Sequence, residues 1–266
     1  MTRTIRIEGH FGEYLQGRLG PDGPVVLVTL PCPLTGVTGH YKPASKGLKL
    51  TGAGLSRPQA QRFAASLGAA LTGQIRLRAH VAPGLGTGVS TARLMALARL
   101  SGWDGPSESL ARACIAFEGA SDPLMFDAPE RLLWASRIGQ IIQPMPALPR
   151  HEVIGGIFGA PQRTDARDNN FPDISDLVAN WAEAETLTDF ARLARESARR
   201  CLALRGPLSD PTDALASELG ALGWVMAHTG AMRGLIFPPG QVPERARATM
   251  RAAGMRGIIQ FKGGRR

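Results

Sequence analysis

"HVAPGLGTGVSTARLMAL", residues 80–97, separates two periodicities. Just before and into it, "QIRLRAHV" places Ile75, Leu77, Ala79 and Val81 on one face and Arg76, Arg78 and His80 on the other, the alternation of a half-buried strand. Beyond it, Leu94, Leu97 and Leu100 mark a helix that ends at Gly102. Between them stand Gly84, Gly86 and Gly88, one at every second position. Such a turn can aim backbone N–H groups inward, and the helix that follows adds its unpaired N–H groups and the positive end of its dipole. The pattern suits an anion, phosphate above all. A Walker loop is excluded, because no lysine lies between Lys49 and Lys262. A dinucleotide fingerprint also fails, since counting on from Gly84 and Gly86 puts Val89 where the third glycine belongs.

Working outward, "TIRIEG" and "PVVLVTLP" read as two strands of one sheet. Residues 56–71, with a capping serine, a proline in the first turn and helical apolar spacing, predict a helix. Further helices are expected over 107–117 and 128–138, separated by "EGASDPLMFD". The prolyl stretch "QPMPALPR" interrupts every period and reads as a linker, dividing the chain into residues 1–146 and 147–266. The second part opens with "EVIGGIFG" as a strand and continues with helices over 174–184, 187–204 and 213–222. It closes with "GWVMAHTGAMRGLIF" as strand, turn and strand, a helix over 244–253 and a last strand "GIIQF".

The 266 residues, 44% of them hydrophobic, are enough for a buried core. No stretch approaches the ~20 apolar residues of a membrane span, and "MTRTIRIEGHFGE" lacks the apolar core of a signal peptide, so a cytoplasmic protein with no membrane partner is expected. Cys32, Cys114 and Cys201 lie too far apart for a zinc site or disulfide framework and read as ordinary buried thiols. The net charge of +9 invites a nucleic-acid reading. Against it, acids are interleaved with bases, aromatics are 6%, and the one basic cluster, "FKGGRR", reads as a solvated tail. Only four of the 31 basic residues are lysines, Lys42, Lys46, Lys49 and Lys262, so charge neutralisation of any bound phosphate falls to arginine or a metal ion.

Proline, a glycine-rich turn, two hydroxyls and an alanine opening a helix, here Pro83, Gly84, Gly86, Gly88, Ser90, Thr91 and Ala92, resemble the phosphate loop of the GHMP kinase superfamily, Pro-x3-Gly-x2-Ser-Ser-Ala. Thr87 stands where that pattern has glycine, with glycines on either side. "GHFGEYLQG" followed by "LVTLPCP" is similar to the opening of the L-threonine kinase branch tied to propanediol utilisation and cobalamin synthesis. "FEGASDPLMF" resembles that branch's Glu-Pro-Thr-Asp segment, one residue longer between Glu118 and Asp122, and "AHTGAMRGLIF" resembles its last small-residue turn. The four segments keep their order from end to end of the chain.

The resemblance implies an α+β, two-domain fold, with an N-terminal domain like domain 2 of ribosomal protein S5 and a ferredoxin-like C-terminal domain. It implies ATP and Mg²⁺, and transfer of a phosphoryl group to the hydroxyl of a small amino acid, L-threonine first. Pro83, Gly84, Gly86, Gly88, Ser90 and Thr91 would then cradle the nucleotide, and Ser90 with Glu118 would hold Mg²⁺, a hard ion that takes oxygen ligands. Asp122 would orient the substrate hydroxyl or take its proton. A solvated acidic loop is the plainer account of Glu118 and Asp122. Glu13 and Gln16, polar within an apolar and glycyl segment, and Thr229 and Gly230 in the last turn would face the substrate; for Glu13 and Gln16 a capping or turn role is the other reading. His10 and His228 read as buried, hydrogen-bonded histidines rather than catalytic ones, and Arg93 and Arg233 are the arginines nearest the motifs, though both would also serve as surface residues. Two rivals share the scaffold: phosphoribosyl transfer of the ribosyl-aminobenzoate phosphate synthase type, and a non-catalytic binding protein.

Overall fold

The structure is a computed structural model that describes residues 1–44, 47–52, 54–162 and 164–264; Lys46 and the last two arginines of the basic C-terminal cluster lie outside the described residues. In chain order the elements are β1 (Arg3–Arg18), β2 (Val25–Lys42), β3 (Leu48–Thr51), α1 (Arg57–Ser66), β4 (Gly73–Ala79), α2 (Val89–Ser101) and α3 (Ser107–Glu118). A short 3-10 turn (Pro129–Arg131) leads to β5 (Leu132–Ala135), β6 (Gln140–Pro144) and β7 (His151–Ile157). Then come α4 (Ser175–Ala182), α5 (Leu187–Arg205), α6 (Thr212–Leu219), β8 (Gly223–Met226), β9 (Met232–Phe237), α7 (Ala246–Ala252) and β10 (Arg256–Gly263).

The strands form one sheet in the order β10-β7-β9-β8-β1-β2-β4-β3, with β5 on β2 and β6 on β5. Only β3 and β4 run parallel. Strands from both sides of the prolyl stretch meet where Glu13 of β1 pairs with Met226 of β8. Helices α1, α2 and α3 share an apolar cluster with β2, β3 and β4, α4 and α5 pack on β1, and α6 and α7 cover β8, β9 and β10. Helix α2 is buried on most of its circumference, from Val89 to Leu100, because it packs against the sheet and both neighbouring helices. Helix α1 begins as its letters dictate, with Ser56 and Gln59 closing a capping box. The three cysteines are free and buried. No helix among the described residues is long and apolar enough to cross a membrane.

Three local expectations change. The helix expected over 128–138 is instead the 3-10 turn followed by β5, in which Leu133, Trp134 and Ala135 are all fully buried. A short apolar run fits a strand buried on both faces as well as a helix segment, and here pairing with β2 and β6 decides. The prolyl stretch starts inside β6, and its Met145 and Leu148 are buried in the core beside β1. The first strand does not stop at the glycine after "TIRIEG" but runs on to Arg18, buried without a break from Gly9 to Gly17.

Candidate active site

The glycine loop explains its own spacing. Gly84, Gly86 and Gly88 have φ of 81°, 74° and 68°, a left-handed region that side chains avoid. A Cβ on Gly86 would lie 2.1 Å from the Thr229 carbonyl oxygen, and one on Gly88 would lie 2.6 Å from the His10 ring. Thr87, at the place where the kinase pattern has glycine, is buried without a positive φ, and its carbonyl accepts the His10 backbone N–H at 3.1 Å. The flanking glycines therefore make the turns that a glycine at 87 would otherwise make. Helix α2 starts at Gly88 with no side-chain cap on its first turn, so that turn's N–H groups face the loop with the positive end of the helix behind them.

Two acidic groups stand at this helix end. Ser90 donates its hydroxyl to Glu118 Oε1, joining the start of α2 to the last residue of α3. Thr91 donates its hydroxyl to Asp122 Oδ2 at 3.2 Å and accepts the Asp122 backbone N–H at 3.2 Å. The loop carrying Asp122 is fastened to β5 and the turn after it: Ser121 N–H donates to Ser136 O at 3.0 Å, and Trp134 Nε1 donates to Ser121 O at 2.6 Å. The segment misread as a helix is thus the support for Asp122. Burial pushes the Glu118 carboxyl up, against the pull of Ser90 and Arg93. Burial would also raise Asp122, but His10, Thr91 and Arg137 outweigh it and hold this carboxyl below its usual range. Its side chain is 24% exposed and open to a ligand. Arg93 donates to Ser90 at 3.3 Å, so one cation already stands beside this oxygen cluster. A hydroxyl with a raised, desolvated carboxylate is a hard-oxygen donor set that fits Mg²⁺, whose charge would keep Glu118 ionised.

Beneath the loop, β1 is irregular. Its register with β2 shifts between His10 and Glu13, and Gly12 has φ 102° where a Cβ would strike the Met226 carbonyl. In a regular strand, positions three apart point to opposite faces; here the irregularity brings His10 Nδ1 and Glu13 Oε1 to 3.4 Å. Gly12 N–H donates to His10 Nδ1 at 3.2 Å, so in the neutral ring the proton sits on Nε2, 3.5 Å from Asp122 Oδ1. Burial alone would lower His10, yet Glu13 and Asp122 raise it to about 9. Burial raises Glu13 to about 8, only partly offset by His10 and Thr29. His10, Glu13 and Asp122 also stand close enough together to share one small cation. His10 is therefore buried, as expected, and also touches the proposed catalytic carboxylate.

The opposite wall comes from the C-terminal part. Thr229 and Gly230 lie on the turn between β8 and β9, where a Cβ on Gly230 would sit 2.4 Å from the Leu85 carbonyl carbon, so this turn packs on the glycine loop. Thr229 shares a 2.6 Å hydrogen bond with Thr164, and Gln162 N–H donates to Gly84 O at 2.8 Å, which lays the segment after β7 along the loop's edge. Arg137, in the turn between β5 and β6, donates to His228 Nε2 at 3.3 Å. Gln16 gives its amide N–H to Met226 O at 3.0 Å and its backbone N–H to Ser197, stitching β1 to β8 and α5. Arg233 is a buried partner of Asp210 at 2.7 Å rather than a surface residue. Nothing in the local sequence marks Arg137 among the many arginines; only the fold brings it to His228.

No family model matches the chain, and no curated protein matches it in sequence. Solved structures do match. The mevalonate kinase of Methanococcus jannaschii superposes with a TM-score of 0.68 at 10% identity, over 100% of this chain and 99% of that one. A 4-(cytidine 5'-diphospho)-2C-methyl-D-erythritol kinase gives 0.58 at 23% identity over 99% and 98%. A homoserine kinase of Cytophaga hutchinsonii gives 0.59 at 16% identity over 98% and 94%. Over its whole length the chain shares the fold of these three kinases.

Proposed function

We propose that this protein is an ATP-dependent small-molecule kinase that phosphorylates the hydroxyl of an amino acid, L-threonine first, giving O-phospho-L-threonine and ADP, a feed for cobalamin side-chain assembly. The observation that carries the reading is one cluster. An uncapped helix start behind a left-handed glycine loop stands beside the Ser90–Glu118 pair and an Asp122 carboxylate kept ionised by its neighbours. Residues 1–146 supply that cluster, and residues 147–266 supply the facing turn at Thr229 and Gly230.

Phosphoryl transfer needs positioning and charge neutralisation more than covalent help. The loop N–H groups and Thr91 hold the nucleotide phosphates, with Pro83 and Gly84 at the loop's outer end. Ser90 and Glu118 are the residues that would hold Mg²⁺, which when bound neutralises charge on the transferring phosphate. Asp122 orients the acceptor hydroxyl. As its oxygen bonds to the γ-phosphorus and the bond to the β,γ-bridging oxygen breaks, Asp122 takes the hydroxyl proton. His10 Nε2–H faces that carboxylate and keeps it anionic until the proton arrives. Glu13, a buried carboxyl, would face a substrate ammonium group, whose charge would favour its ionised form.

ADP release with Mg·ATP against L-threonine, L-serine, L-homoserine, 1-aminopropan-2-ol and a blank tests the reading. Threonine-dependent ADP with matching phosphothreonine upholds it. No stimulated turnover, together with no ATP binding by calorimetry, overturns it in favour of phosphoribosyl transfer or a non-catalytic role.

A further inference from the structure

Arg137 has no carboxylate within ion-pair distance among the described residues, although it is partly buried and its Nε–H is buried without an acceptor. Its remaining guanidinium contacts are poor substitutes: Ser136 Oγ at 3.2 Å and His228 Nε2 at 3.3 Å. His228 is held neutral, by burial first and then by Arg137 and Arg205, so it accepts from Arg137 through Nε2 and carries its proton on Nδ1. That Nδ1–H is also buried without a partner. The ring is fixed by stacking on Phe171 at 4.1 Å and 11°, and Arg205 covers the other part of that stack, 4.0 Å from the Phe171 ring, with its own charge answered by Asp168 at 2.6 Å. The corner therefore holds two donors, Arg137 Nε and His228 Nδ1, without an acceptor among the described residues, although Asp122 acts on the Arg137 charge from a distance. Buried donors of this kind are destabilising until an acceptor arrives, and a guanidinium's preferred acceptor is a carboxylate or phosphate oxygen.

Arg93, not Arg137, stands at Ser90, and among the described residues no hydrogen bond links Arg137 to the glycine loop. We propose that Arg137, positioned by His228, is the subsite for the carboxylate of the acceptor substrate, so that the acceptor is a hydroxy acid anion and not a neutral amino alcohol. The proposal rests on the kinase reading for the acceptor's identity and gives Arg137, whose charge also helps keep Asp122 ionised, a contact with substrate that the reading does not assign. Glu13 at one end and Arg137 at the other would hold the ammonium and carboxylate of an amino acid with its hydroxyl near Asp122. Gln16, whose amide N–H already serves Met226, is released from that task.

The test uses the full chain with Arg137→Gln and Arg137→Lys. With L-threonine, kcat/KM should fall about 100-fold in R137Q, the loss of a charge-assisted pair, and less in R137K. With 1-aminopropan-2-ol, the same alcohol without its carboxylate, kcat/KM should fall by a much smaller factor, the part that comes from the charge Arg137 places near Asp122. An equal fall with both acceptors, or no fall with either, overturns the assignment. Calorimetric titration of L-threonine, L-homoserine and L-serine without nucleotide separates this from failure of the kinase reading. Binding that R137Q abolishes, with Mg·ATP affinity unchanged, upholds the subsite even without turnover. Absence of binding to the unaltered protein, or binding indifferent to R137Q, overturns it.

Discussion

Replacing Glu13 by glutamine should change how the protein's stability depends on pH, and the structure sets the size of the change. The Glu13 carboxyl is 1% exposed and keeps its proton up to about 8 in the folded chain against 4.5 when unfolded. Between these limits the folded state binds more protons than the unfolded one, so stability falls as pH rises. At about 1.4 kcal/mol per pH unit, the interval from pH 5 to pH 8 removes up to about 4 kcal/mol, or roughly 10 °C in Tm for a chain of this size. His10, holding its proton up to about 9 against 6.5, contributes stability that is complete below 6.5 and is lost towards 9, in the same direction. Glutamine has no charge to desolvate and removes the carboxylate that helps raise His10. Any packing cost of the buried amide is the same at both pH values, so the slope is diagnostic and the absolute Tm is not. Thermal melts at pH 5 and pH 8, at one ionic strength, should show a large fall for the unaltered protein and a distinctly smaller one for E13Q, in which Asp122 still raises His10. Equal falls in the two proteins would refute the account of Glu13 as a buried carboxyl held neutral.

Asp122→Asn should lower kcat by about 10²- to 10⁴-fold, the range for a positioned proton acceptor, with Mg·ATP affinity nearly unchanged by calorimetry. Glu118→Gln removes one of the two oxygen groups facing each other at Ser90, so the Mg²⁺ concentration giving half-maximal rate should rise, read from a magnesium titration at fixed ATP. Gly88→Ala forces a side chain into φ 68° and against the His10 ring, and should cost about 1–2 kcal/mol in a urea melt while weakening ATP binding. Trp134→Phe keeps the buried ring but leaves the Ser121 carbonyl without its 2.6 Å donor; a loss of about 1–3 kcal/mol and a lower kcat should appear together, because that bond holds the loop of Asp122.

Much of the architecture was legible because its signals are local. Alternating glycines flanked by a period of two and a period of 3.6 announce strand, anion loop and helix, and the structure places left-handed glycines where they stand. The capping box at Ser56 and the turn within "GWVMAHTGAMRGLIF" are likewise written in adjacent letters. The segment over 128–138 was misread because a buried apolar run of this length is compatible with either period. Only its neighbours β2 and β6 supply the hydrogen bonds that choose a strand.

Which residues the proposed chemistry uses divides along the same line. Ser90, Thr91, Glu118 and Asp122 were named through the resemblance of their segments to kinase motifs, which keep their order along the chain. His10 read as an ordinary buried histidine and Arg137 as one arginine among many, because neither owes its role to its neighbours in the chain. His10 faces Asp122 through the irregularity in β1, across 112 positions, and Arg137 reaches His228 across 91. The sequence by itself determined a phosphate-sized loop on a folded α+β chain. The tertiary structure alone decided the lowered carboxyl of Asp122, the raised one of Glu13 and the place of Arg137 beside His228, because desolvation and Coulomb coupling depend on distance through space and not along the chain.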